Sequence, residues 1–149
     1  MALPAVPDEA VEIHATAPDW RSAVNLAGLV LVRSGATTPD YANEMIRMIE
    51  EHGPYVVIAP GLALAHARPG PEVLADGLAI VTLAEPVNFG HPHNDPVRVV
   101  LGLAVKSADA HLKTVANLAN VFNDSNAIQA LAAATTVAEV QAIMAGGSE

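Results

Sequence analysis

Val97 to Val105 is apolar nearly throughout, with Arg98 near its start the exception. A run of that length and content reads as one β-strand, and a strand with no polar face must be covered on both sides. It therefore belongs in the middle of a sheet held between two helical layers, and the rest of the chain supplies them.

Val11 to Ala15 reads as a first strand, with Glu12 and His14 on one face. Pro18-Asp19 opens a helix that runs to about Arg33, with Leu26, Leu29, Val30 and Val32 as its apolar stripe and Ser34-Gly35 as its end. Thr38-Pro39-Asp40 starts a second helix with a capping hydroxyl, a proline at the first helical position and an acid in the first turn. That helix points Tyr41, Met45, Met48 and Ile49 inward and stops at His52-Gly53-Pro54. Val56 to Ile58, Leu62 to Leu64, and Leu78 to Leu83 are shorter strands, the last ended by Glu85-Pro86. Val97 to Val105 is the longest. Ser107 caps a helix from Ala108 to Phe122 whose inward residues are Leu112, Val115, Leu118, Ala119 and Phe122, and Asn123-Asp124 breaks it. Ala127 to Ala133 is a short helix, and Thr136-Val137-Ala138-Glu139 is a capping box for a final one. There is no internal repeat. The order predicts one α/β domain over residues 1–149, a three-layer sandwich with a mixed β-sheet flanked by helices.

Composition narrows the function. Hydrophobic residues make up 52% of the 149 residues but aromatics only 3%, so aliphatic side chains and alanine do the packing and helices lie close on the sheet. The net charge of -9, with 7 scattered Lys and Arg, argues against nucleic acid as a partner. The absence of cysteine excludes disulfides and thiolate chemistry. Met1 to Glu9 have no basic start and no apolar stretch, so they do not read as a signal peptide, and runs such as Leu26 to Val32 are too short to cross a bilayer. The expectation is a cytoplasmic protein. No Walker A motif, kinase-like glycine loop or GxSxG elbow is present, which argues against direct nucleotide use and serine hydrolysis.

Chemistry then falls to histidine. In Val56-Val57-Ile58-Ala59-Pro60-Gly61-Leu62-Ala63-Leu64-Ala65-His66-Ala67-Arg68-Pro69, an imidazole stands where an apolar run ends, with a guanidinium two residues on. A neutral imidazole is a good nucleophile near pH 7 and can take and return a phosphoryl group. His111 lies in the first turns of the helix after the long strand, where backbone N–H groups favour an anion and the dipole holds an imidazole neutral. Its N–H can then donate to a phosphoryl oxygen. Ligands of α/β folds gather beyond the carboxyl ends of strands, so His66 and His111 are candidates for one cleft. The bland alternatives are a half-buried histidine at 66 and a partly exposed helix residue at 111. His52 suits a helix C-terminus, and His14 sits on an edge strand. His91, His93 and Asp95 form a loose metal-like pattern in a turn-rich loop, where Asp95 fits better as a cap of backbone groups. Neither a metal nor another cofactor is expected.

These segments resemble the IIA component of the bacterial phosphoenolpyruvate-dependent sugar phosphotransferase system, in the mannitol/fructose superfamily (type 2), and within it the ascorbate-type branch. The likeness runs from about Asp19-Trp20 to the C-terminal helix. It rests on His52-Gly53-Pro54-Tyr55, on Ala59-Pro60-Gly61-Leu62-Ala63 through His66-Ala67-Arg68-Pro69, on Phe89-Gly90-His91 with Asn94-Asp95-Pro96-Val97, and on His111. It implies a mannitol-type IIA-like fold. It also implies a phosphohistidine at His66, taken from the carrier HPr and passed to a separate IIB component, with His111 beside it and the membrane IIC reached only indirectly. Arg68 is the local candidate for holding phosphoryl oxygens. Many relatives have proline where this chain has Ala65. The arginine of the mannitol branch is not carried over to Arg47, whose separation from His66 differs. Ascorbate or a related sugar follows only by analogy. The alternatives are a regulatory module that uses the same phosphohistidine switch on a partner protein, and a metal-dependent hydrolase built on His91, His93 and Asp95. The aliphatic helices could also support a homodimer.

Overall fold

The computed structural model describes residues 6–122 and 125–146. The elements are β1 (Val11–Ala15), α1 (Trp20–Arg33), α2 (Asp40–His52), β2 (Val57–Ala59), β3 (Leu62–His66), β4 (Gly77–Val87), β5 (Val97–Ala104), α3 (Ala108–Val121), α4 (Ser125–Ala133) and α5 (Val137–Gly146). The strands form one sheet in the order β1-β4-β5-β3-β2. β1 runs parallel to β4 and β3 parallel to β5, whereas β4–β5 and β2–β3 are antiparallel. The sheet is thus mixed, and the apolar run at 97–105 is its middle strand, as its lack of a polar face requires. Among the described residues no helix is long and apolar enough to cross a membrane.

The two faces of the sheet are packed differently. Ala63, Ala65 and Ala79 face α1 and α2, and the register sets Ala65, Gly102 and Ala79 side by side across β3, β5 and β4. A Cβ on Gly102 would lie 3.2 Å from the Ala27 side chain. This row of small residues lets α1 settle close to the sheet. Close approach also explains why the stripe expected on α1 differs from the one observed. Ala23, Val24, Ala27, Gly28, Val30 and Leu31 are buried, while Leu26 and Val32 are only partly so and Leu29 is 55% exposed. The opposite face carries Leu62, Leu64, Leu78, Ile80, Leu101 and Leu103 against the helices α3 to α5. That thicker layer is where the large aliphatic side chains are spent.

Local chemistry sets the ends of the elements. Asp19 caps α1 by accepting from the Ser22 amide at 2.8 Å. For α2 the expectation needs correction: Pro39 holds the cap position and no side chain caps the helix, while the Thr38 carbonyl, not its hydroxyl, accepts from Tyr41. Tyr41, Met45 and Ile49 are buried and Met48 is partly so. β3 continues to His66, and β4 runs through Pro86 to become the longest strand at 11 residues, against 8 for β5. Proline has no N–H for a ladder, and the pairing of β4 with β5 is irregular between Thr82 and Val87, which spares it. Ser107 caps α3 through the Ala110 amide. The buried stripe of α3 is Thr114, Leu118 and Val121, continued by Phe122, so Leu112 (73% exposed) and Ala119 lie outward rather than inward. A threonine in that stripe is what hid its true phase. Asn123-Asp124, expected to break the helix, lies outside the described residues. Thr136 accepts from the Glu139 amide, and Glu139 reaches back to the Thr135 amide, a capping box displaced by one residue.

Candidate active site

Strand β3 delivers His66. Its preceding residues, Leu62 to Ala65, are fully buried, and His66 is the first to be partly exposed. Alternation places it on the face of Leu62 and Leu64, toward α3. Its register partner is Leu103, near the carboxyl end of β5. The chain leaves β5, passes the Ser107 cap and starts α3, whose fourth residue is His111. The topology therefore brings the carboxyl end of β3 and the N-terminal end of α3 to the same edge of the sheet. The side chain of His111 lies outside the described residues.

The His66 ring is oriented by its own strand. Nδ1 lies 2.8 Å from the Leu64 carbonyl oxygen. A carbonyl only accepts, so Nδ1 carries the proton and the lone pair is on Nε2. Burial pushes the imidazole below its usual titration range, outweighing the Leu64 bond, which pulls the other way. The ring is thus a neutral base at pH 7 with a defined nucleophilic nitrogen. Tyr55 meets it edge to face at 5.6 Å between ring centres, and His52 meets Tyr55 in the same manner at 6.3 Å. Burial raises the Tyr55 phenol, and the Arg68 charge acts against that rise. Arg68 is exposed and makes no ion pair among the described residues. Arg47, by contrast, is held by Glu44 at 2.8 Å and Glu51 at 2.7 Å. Its guanidinium is committed to its own helix.

His91 and His14 are engaged elsewhere in the fold. His91 Nδ1 accepts from the amides of His93 and Asn94. Asp95 accepts from the amides of Phe89, Gly90 and His91, the capping role expected of it. Among the described residues no group of three metal-ligating side chains exists. The same loop braces the turn between β2 and β3: Asn94 donates to the Val57 carbonyl, and the Gly61 amide donates to the Asn94 carbonyl. Gly61 lies at the opposite end of β3 from His66, so the 89–97 motif holds the strand that presents the imidazole rather than joining it. His14 is exposed on β1, at a positive φ of 53°, with Nε2 3.3 Å from the Ala132 carbonyl.

The chain matches the model of the family described as "Phosphoenolpyruvate-dependent sugar phosphotransferase system, EIIA 2" over residues 5–146. It belongs to this family. Among relatives of this EIIA domain, an ascorbate-specific PTS system EIIA component of Shigella boydii is 35% identical over 134 residues, which span 89% of this chain and 87% of that protein. The crystal structure of IIA mannitol from Escherichia coli is 26% identical with a TM-score of 0.84, covering 94% of this chain and 99% of that one. A structure of the Escherichia coli complex of enzyme IIAMtl with phosphorylated enzyme IIBMtl aligns with a TM-score of 0.85 at 26% identity, over 97% and 99% of the two chains. The mixed sheet between helices is therefore that of mannitol-type IIA proteins.

Two residues around His66 escape a sequence reading focused on histidine. Tyr55 was visible only as part of a motif, not as a ring set against His66. Tyr41 was visible only as a core residue of α2. Its hydroxyl in fact reaches the chain immediately after His66, accepting from the Ala67 amide at 3.0 Å and donating to the Leu103 carbonyl at 2.7 Å. A tyrosine at an inward helical position carries no sign of which backbone groups its hydroxyl will meet.

Proposed function

We propose that His66 is the residue that carries the phosphoryl group, received from phospho-HPr and passed to a separate IIB component. The observation that carries this reading is the Nδ1 bond to the Leu64 carbonyl, which leaves Nε2 as the nucleophile of a partly exposed, neutral ring. In the accepting step Nε2 uses its lone pair to form the N–P bond. The bond from phosphorus to the donor atom breaks in line, and its electron pair stays with the donor. The Nδ1 proton remains in place, and the Leu64 carbonyl stabilises the positive charge that the ring acquires. The arriving phosphoryl group brings about two negative charges. Arg68, two residues along the chain from His66, offsets them, and the N-terminal end of α3, with His111 in its first turns, supplies donors to the oxygens. The onward step is the reverse, with IIB as acceptor and IIC served only through it. The names of the relatives point to ascorbate or a related sugar as the transported solute, and the setting is the cytoplasm.

The test is incubation with phosphoenolpyruvate, enzyme I and HPr, followed by mass spectrometry. One acid-labile phosphoryl group is expected on the wild type and none on His66→Ala. For His111→Ala, labelling should persist while onward transfer slows. Label on His93, or equal loss in both variants, would overturn the assignment.

A further inference from the structure

The parallel ladder between β3 and β5 has a regular spacing. The Val99 amide donates to the Gly61 carbonyl at 3.1 Å, and Leu62, Leu64 and His66 pair with Val99, Leu101 and Leu103. In a parallel pair that opens this way, the rung beyond His66 runs from the Ala67 amide to the Leu103 carbonyl. The Tyr41 hydroxyl occupies that rung. It accepts from Ala67 at 3.0 Å and donates to Leu103 at 2.7 Å. A phenol has one proton, so its 3.3 Å approach to the Ala67 carbonyl is the weaker option. Tyr41 is 1% exposed and enters from the α1–α2 side, the face opposite to the His66 ring. Burial raises its phenol to about 12, so the proton is present at every working pH.

We infer that Tyr41 is a positioning residue for phosphoryl transfer: by completing the last rung between β3 and β5 with its hydroxyl, it fixes the backbone on both sides of the His66 imidazole and so the direction of Nε2. Leu64 fixes the ring relative to its strand. Tyr41 fixes the strand end relative to β5, from which α3 departs. Without the hydroxyl, a buried amide and a buried carbonyl lose their partner at the point where the chain turns away from the sheet. The strand end then either closes directly on β5 or frays, and both re-aim the ring. The kinetic part of this inference rests on His66 being the phosphoryl carrier; the geometric part does not.

Tyr41→Phe keeps the ring and removes only the hydroxyl. In the folded variant, single-turnover phosphorylation by phospho-HPr should slow at least tenfold at saturating donor, with KM within about twofold. Long-range nitrogen–proton NMR should show His66 losing its Nδ1–H tautomer and titrating closer to an ordinary histidine. Leu131→Ala, a core truncation on the buried face of α4, serves as the stability control. It should lower Tm without changing either readout. A folded Tyr41→Phe protein with an unchanged His66 spectrum and rate overturns the inference, as does equal slowing by Leu131→Ala. Amide exchange in the wild type gives an arm that needs no variant: the Ala67 amide should be strongly protected, and exchange at the rate of an open amide also overturns the inference. If wild-type protein took no label at His66, the carrier reading would fall, while the spectrum and the exchange would still decide the role of Tyr41.

Discussion

The Leu64 carbonyl and the burial of the ring pull His66 in opposite directions, and burial is the larger effect. An ordinary imidazole titrates near 6.5, so His66 protonates only at lower pH. Acceptance needs the Nε2 lone pair, and its rate should hold as pH falls from 8 through about 6.5 and decline only below that. Stability follows the same sign. Above the unfolded value both states are neutral and nothing is lost. As pH falls, the unfolded chain protonates first, so stability drops until the folded ring protonates too, and is then level. An NMR titration of His66, with urea denaturation of wild type and His66→Ala between pH 5 and 8, checks both. A ring that titrates at or above the ordinary value refutes the account of its neutrality. Arg68 belongs to the same scale. It is exposed and without an ion pair among the described residues, so Arg68→Gln should leave the urea midpoint unchanged. It should slow phosphoryl transfer about tenfold, or ~1.4 kcal/mol of barrier, with part of the rate returning in Arg68→Lys.

Among the elements, the 89–97 loop shows how much support a reactive strand requires. Asp95 takes up the amides of Phe89, Gly90 and His91, and Asn94 ties the loop to the turn that begins β3. Asp95→Ala removes the acceptor from all of them at once. About 2 kcal/mol of stability should go, since part-buried donors are left to weak solvation. The folded fraction should still take label on His66, because the brace lies at the other end of the strand. Loss of labelling without loss of stability would mean that the loop enters the site. This loop was readable in advance as a capped turn, because Asn-Asp-Pro has only a few backbone solutions. The central strand was equally readable, from its lack of a polar face. The inward stripes of α1 and α3 were not. On α1 the buried face is built partly of small residues, with Ala27 against Gly102 of the sheet and Gly28 against Ala42 of α2, and a search for large aliphatic residues passes over them. On α3 a threonine, Thr114, sits in the buried stripe. The imidazole at the end of β3 could be found from sequence because a polar ring closing an apolar run stands out. Tyr41 could not, since its role depends on a register between strands far apart in the chain.

At the scale of the whole molecule, charge is the property that reaches farthest. The chain carries 16 acidic against 7 basic residues, a net charge of -9. Several of the basic groups are already spent: Arg21 on Glu50, Arg33 on Glu12, and Arg47 on Glu44 and Glu51. The long-range field is therefore negative, although the candidate site holds Arg68 and the end of a helix that favours anions. This division suits a carrier that has to meet a partner and then hold a phosphoryl group. The field acts on encounter, and the local donors act on the transferred group. A donor that presents basic groups should be drawn in, with an association rate sensitive to ionic strength. Screening shortens the Debye length from about 10 Å at 0.1 M salt to about 3 Å at 1 M. The second-order rate of phosphorylation by phospho-HPr should accordingly fall severalfold between 0.05 and 0.5 M sodium chloride. The first-order transfer step at saturating donor should change little, because a phosphoryl group on His66, as proposed, would be governed by groups at contact distance, where salt screens weakly. Stopped-flow mixing across that salt range separates the two. A second-order rate that stays flat would show that the acidic surface has no part in capturing the donor, and one that rises would show that the surface hinders it.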